Sequence, residues 1–264
     1  MTIFSTVLRA VLGSLSKPTR YSLVLLALIS STALSEGQQT ELPQFDDDNS
    51  FLIINARVFT ASGIIAPSAV QVENGIITAV GQNVSQDLGL PVVDANGQTV
   101  TPGLIDAHTH SFFDSQLFDS LRFGATTQLD MATDVSFMQA HRDQRSEIEE
   151  TEYADLFSAG TIVTSVGGHG TQNGSQIPTI DSPENAQEHI RTRLEEGSDW
   201  IKIAYETDNE FLTTVDKATL TAVISAAHEQ GSLAVVHVSK LEAARDAVEA
   251  GADGLVHILS LIHI

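Results

Sequence analysis

The chain of 264 residues contains no cysteine, which excludes disulfides, thiolate metal ligands and lipid attachment through a cysteine. Positive charge is scarce too. Thirteen Lys+Arg stand against 34 Asp+Glu, a formal charge of −21, which argues against nucleic acid or an anionic membrane surface as a partner. Long apolar runs are also missing. The most apolar stretch, from Tyr21 to Leu34, is shorter than the roughly 20 residues of a membrane span. It follows the basic residues Arg9, Lys17 and Arg20 and leads into Ala33-Leu34-Ser35, with small residues at the two positions a signal peptidase reads. Residues 1–35 therefore read as a cleavable export signal, with a retained N-terminal anchor as the alternative. An exported chain without cysteine fits a bacterial periplasm or exterior, with no stable membrane span after cleavage.

What is present is ordinary material for a globular core: 42% of the residues are apolar. Residues 36–50 (EGQQTELPQFDDDNS) are polar and acidic and read as a linker. From 51 to 100 the texture becomes short β segments, FLIINARVFT, SAVQVENGIITAVG and PVVDANGQTV, with Asn74-Gly75 and Asn96-Gly97 expected as hairpin turns. Beyond residue 101 a helix-like stretch, a glycine and an apolar strand recur, at Gly124, Gly160, Gly197, Gly231 and Gly251. Ser182-Pro183 and Asp216 supply matching helix starts. Alternating strands and helices imply parallel βαβ units. Counting from Gly103, six strands emerge where a (β/α)₈ TIM barrel has eight. The expected fold is α/β, an incomplete barrel over 101–258 with a small β unit before it.

The chemistry sits at the strand ends. VTPGLIDAHTH runs from an apolar strand into His108 and His110, two imidazoles that an extended backbone turns to the same side, within reach of one metal ion. Lys202 in DWIKIA, His237 in LAVVHV and His257 in GLVHI lie at the ends of the fourth, fifth and sixth strands. Parity places Trp200 with Lys202, Val235 with His237 and Leu255 with His257 on one interior face. Taken singly, each could be a hydrogen-bonded core residue or a buried ion pair. Barrel geometry would converge all five on one mouth. His169, in the glycine-rich GGHGTQNG, and Tyr205, just past Lys202, are candidate substrate contacts. His141, His189 and His228 fall on expected helices and read as surface residues.

These motifs, TPGLIDAHTH, GSDWIKI and AVVHVSK followed by GADGLVHI, resemble the amidohydrolase superfamily, in particular its imidazolonepropionase-like and dipeptidase-like members, over about residues 51–258. The resemblance implies a TIM barrel, with 51–100 as the first part of a composite β-sandwich. It implies that His108 and His110 hold one divalent metal ion, that Lys202 carboxylated by carbon dioxide bridges to a second, and that His237 and His257 complete the pair. The ions would be zinc, given nitrogen and oxygen ligands. The implied reaction is hydrolysis of a C–N bond in a cyclic amide or dipeptide-like small molecule by a metal-bridging hydroxide. Hydrolysis of an ester or lactone on the same scaffold, or metal binding without turnover, are the alternatives. A homo-oligomer is left open. The family's general acid–base, an aspartate ending the eighth strand, is expected to lie outside this sequence, so the fragment itself is expected to be inactive. Residues 259–264, LSLIHI, are expected to be the in-frame translation of a transposon end used in sequencing libraries, and His263 is accordingly not counted as a ligand.

Overall fold

The computed structural model describes residues 49–257 apart from 86, 146–151, 173, 175, 208 and 209. The export segment, residues 36–48 of the linker and the 259–264 terminus lie outside the described residues. The last two linker positions belong to the β unit instead. Ser50 is buried and its Oγ accepts from Asn74 N at 2.9 Å, while Asn49 O accepts from Gly75 N at 3.1 Å.

That unit is one five-stranded sheet. β1 (Phe51–Thr60), β2 (Gly63–Glu73) and β3 (Ile76–Gly81) pair antiparallel, and β4 (Val92–Asp94) and β5 (Thr99–Val100) both add parallel to β1. Ala56, Val58, Val70 and Val72 form its buried face. Asn74 and Gly75 take φ of 51° and 75°, the left-handed pair that a two-residue hairpin turn requires. Asn96-Gly97 has similar angles but closes no hairpin, contrary to the sequence expectation. Gly97 N donates to Asn55 O at 2.8 Å, beside the register shift in β1, so the turn is a jog between two segments on the same partner strand.

The rest is an arc of parallel strands. β6 (Leu104–Thr109), β7 (Ala125–Asp130) and β8 (Asp155–Ser158) form one sheet, and β9 (Ile201–Ala204), β10 (Ala234–His237) and β11 (Gly254–Val256) form another. Val163 joins them: its N donates to Lys202 O at 2.8 Å and its O accepts from Ala204 N at 2.9 Å. Helices α1 (Asp114–Arg122), α2 (Val135–Gln144), α3 (Ala186–Glu196), α4 (Lys217–Glu229) and α5 (Leu241–Glu249) alternate with the strands. The six-strand count stands, but the third strand is displaced. It is DLFS, before Gly160, and TIVTS contributes only the bridge at Val163. Gly160 therefore caps no helix. Its φ of 58° turns the chain from β8 towards β9.

The core lies between β9, β10 and the helices. Ile201, Ile203, Val236 and Val238 pack against Leu220, Val223, Ile224 and Ala227 of α4, whose spacing at i, i+3, i+4 and i+7 makes one apolar face. Full burial contributes about 1.5–3 kcal/mol for each large aliphatic side chain. Asp216 starts α4 as expected, its side chain accepting from Thr219 N at 2.7 Å. Among the described residues the arc does not close, since β6 and β11 each pair along one side, and Leu104 and Ile105 of β6 are both 63% exposed.

Candidate metal centre

The strand alternation that buries Ile201 and Ile203 against the helices turns Lys202 to the concave side of the arc, where it is 1% exposed. His237 ends β10 on the same side, because Val236 faces the helical core. His108 comes from β6, His110 follows it by one residue, and His257 follows β11. The rings meet in sequence around the mouth. Centroids are 5.5 Å apart for His110–His108, 4.6 Å for His108–His257, 4.3 Å for His257–His237 and 4.4 Å for His237–His169. Strands from both ends of the arc therefore contribute to one continuous imidazole cluster. His110 Nδ1 lies 3.3 Å from Ala132 O, and because a carbonyl only accepts, Nδ1 carries the proton and Nε2 is left as a lone-pair donor.

The electrostatics of His108, His169, His237 and His257 favour the neutral ring, which is the form that ligates a metal. Burial lowers His108 to about 4, helped by the positive fields of Lys202, His257 and His110. His257 is likewise lowered to about 4, by burial first and then by His237 and Lys202. His169 and His237 are also lowered, chiefly by burial, with Glu206 opposing in both cases. Burial brings the Lys202 amine down to about 8, against the negative field of Asp130.

Two acidic residues complete the site, and neither was among the candidates from sequence. Asp130, fully buried at the end of β7, accepts from Ser111 N at 2.8 Å and from Ser158 Oγ at 2.5 Å. Burial raises its pKa, while those hydrogen bonds and the charges of His110 and Lys202 pull it back. Glu206 Oε1 lies 2.6 Å from His237 Nε2, and its Oε2 lies 3.8 Å from His169 Nδ1. One ligand atom from each of His169, Glu206 and His237 fits within a 4.8 Å span, close enough to share an ion. Strand parity was the available signal: Gln128 and Asp130 share a face, as do Lys202, Ala204 and Glu206.

The same parity corrects Tyr205. It points to the helical side with Ile201 and Ile203, is 3% exposed, and donates from its hydroxyl to Asp246 Oδ2 of α5 at 3.0 Å. It is a packing residue there, and burial and Asp246 together push its pKa up to about 12. His169 does face the cluster, held by glycines with little room for a side chain. A Cβ on Gly168 would meet Thr164 Oγ1 at 2.3 Å, and Gly170 sits at φ 94°. Of the three helical histidines, only His228 is exposed. His141 is buried against Asp114 at 3.0 Å, and His189 is half-buried.

The profile of the Amidohydrolase family matches residues 99–263. The chain is 39% identical over 59 residues to the dihydroorotase of Enterococcus faecalis, covering 22% of this chain and 14% of that one. It is 33% identical over 89 residues to the imidazolonepropionase of Bacillus cereus, covering 33% and 20%. Among solved structures, a Xaa-Pro dipeptidase with bound methionine superposes with a TM-score of 0.65 at 20% identity, covering 81% of this chain and 63% of that one. The ochratoxinase of A. niger does so with 0.62 at 16% identity, covering 81% and 61%. The chain thus spans about three-fifths of the length of these structures and shares with them a TIM-barrel-like α/β fold, present here in part. The matched profile and the strand-end histidines agree: the chain belongs to the amidohydrolase family.

Proposed function

We propose that this chain is the metal-binding part of a hydrolase that cleaves the C–N bond of a cyclic or dipeptide-like amide. The observation that carries the reading is the unbroken run of imidazoles from His110 to His169 beside a lysine that is 1% exposed. The donor set fits a pair of divalent cations, with zinc suited to nitrogen and oxygen ligands. His108 and His110 would hold one ion and His237 and His257 the other. Lys202 would bridge them as its carbamate, formed when the neutral amine adds to carbon dioxide and releases a proton. That change replaces a buried cation, costly in this setting, with an anionic ligand. When bound, the cations supply a water ionised near neutral pH and polarise the substrate carbonyl.

The remaining steps fall to side chains. In this reading His169 would donate a ring N–H to the substrate carbonyl oxygen, and Glu206 orients His237 through the 2.6 Å contact with its Nε2. Asp130 fixes the turn after His110 through Ser111 N, and its negative field favours the protonated Lys202 only before the amine is carbamylated. The basic and apolar residues of 1–35 support export, so the site would act outside the cytoplasm. A second reading has its own observation. His169, Glu206 and His237 could hold a single cation, with Lys202 left as an amine and no amide turnover.

The test is hydrolysis of a panel of cyclic amides and dipeptides by the longest reading frame containing this chain, supplied with Zn²⁺ and bicarbonate. Lys202→Ala and chelation should each lower turnover by at least about 100-fold. Turnover indifferent to both would refute the metal-hydrolase reading.

A further inference from the structure

The mouth of the arc opens into a cleft of about 540 Å³ that shares His110 and His169 with the imidazole cluster. Its walls are the segments following β6, β7 and β8, and the apolar part consists of Phe112, Val135, Ile162, Ile177 and Pro178. The wall is tightly built where Gly170 passes. A Cβ at that position would lie 3.1 Å from Ile162 Cγ2 and 3.3 Å from Ile177 Cδ1. Only two charged side chains line the cleft among the described residues, and both are acidic. Glu196 is neutralised by Arg193 at 2.6 Å, which leaves Asp134 as the charge facing a ligand. No lysine or arginine is found in that lining, and the whole chain carries −21.

From this we infer that the cleft is the subsite for an uncharged apolar substituent of the amide substrate, an aryl ring or a short alkyl chain, and that it rejects a carboxylate. The inference rests on the hydrolase reading for the word substrate, but the cleft's chemistry stands on its own lining. A volume in this range holds a ring and several carbons, and each methylene buried should tighten binding about threefold to fourfold. A carboxylate there would lose its hydration, meet no cation from the wall and face Asp134.

The experiment compares two probes by calorimetric titration of the full chain: 4-phenylbutyramide and the same amide with a para carboxylate on its ring. The neutral probe should bind at least about tenfold more tightly, and Ile177→Arg should reverse the preference by placing a cation on the wall. Val135→Arg, at the half-exposed start of α2, repeats the reversal if Ile177→Arg does not fold. Equal affinities, a preference for the carboxylate, or no binding of either probe would overturn the inference. Binding is read without turnover, so the two readings fail separately. A preference for the neutral probe in a protein with no metal-dependent hydrolysis would sink the hydrolase and keep the subsite. Efficient hydrolysis without that preference would do the opposite.

Discussion

Replacing Asp130 by alanine should be the most damaging single change in the mouth of the arc at a residue that is not itself a proposed metal ligand. Its carboxylate is fully buried and satisfies two buried donors, Ser111 N at 2.8 Å and Ser158 Oγ at 2.5 Å. Each donor left unpaired costs about 1–3 kcal/mol. The substitution also removes the negative field that Asp130 exerts on the Lys202 amine, although the two form no direct ion pair. These contributions overlap, so a loss of about 3–5 kcal/mol is expected, or roughly 10 °C in Tm for a domain of this size. Asp130→Asn keeps an acceptor for Ser111 N and presents an amide to Ser158, so it should lose only about 1–2 kcal/mol. The assay is urea unfolding followed by the fluorescence of the single tryptophan, Trp200, two residues before Lys202. Combining Asp130→Ala with Lys202→Met should recover part of the loss, because the uncompensated amine is gone. If Asp130→Ala unfolds within about 1 kcal/mol of the parent, the buried-acceptor role is wrong.

Other outcomes follow from the same geometry. Tyr205→Phe should cost about 1 kcal/mol through the lost bond to Asp246 and leave turnover unchanged; a fall in kcat would return Tyr205 to the substrate side. His189 is lowered to about 4 by burial and then by Arg193, so the unfolded chain takes up its proton near pH 6.5 while the folded chain does not. Its contribution is thus complete above pH 6.5 and is lost as pH falls towards 4, by at most about 3 kcal/mol; His189→Leu should flatten that part of the stability profile, and an unchanged slope would refute the assignment. Gly170→Ala must place a Cβ at φ 94° and 3.1 Å from Ile162, so about 1–2 kcal/mol of stability and a weaker apolar probe are expected in titration. Lys217→Ala breaks pairs with Asp246 and Glu249 at 2.7 Å, but the lysine is exposed, so the thermal unfolding midpoint should scarcely move, and a clear fall would contradict that reading.

Much of this was legible in the residue order, and the reasons differ by element. Glycine after a helix and Asp216 before one are local signals, and Gly197 at φ 107° and the Asp216–Thr219 bond bear them out. The interior side of His237 and Lys202 followed from period-two alternation. The same rule, carried two steps further through Ala204, separates Tyr205 from Glu206, and stopping short of it put the substrate contact on the wrong face. The third strand was misplaced because Gly160 looked like one more helix cap, whereas it follows a strand. Asn96-Gly97 carries the composition of a hairpin turn, but whether flanking segments pair with each other or with a third strand is a tertiary choice that local sequence does not encode. His141 and His189 were read as exposed from their helical setting, but His141 is buried against Asp114 and His189 is half-buried, which depends on tertiary neighbours rather than on helical position.

The central claim is that side chains from both ends of the arc hold a pair of cations bridged by a modified Lys202. Anomalous diffraction from crystals grown with Zn²⁺ and bicarbonate tests it most directly. The account predicts two zinc peaks, one on His108 and His110 and one on His237 and His257, with density for a carboxylate on Lys202 between them. A lone peak on His169, Glu206 and His237 beside an unmodified lysine would contradict it.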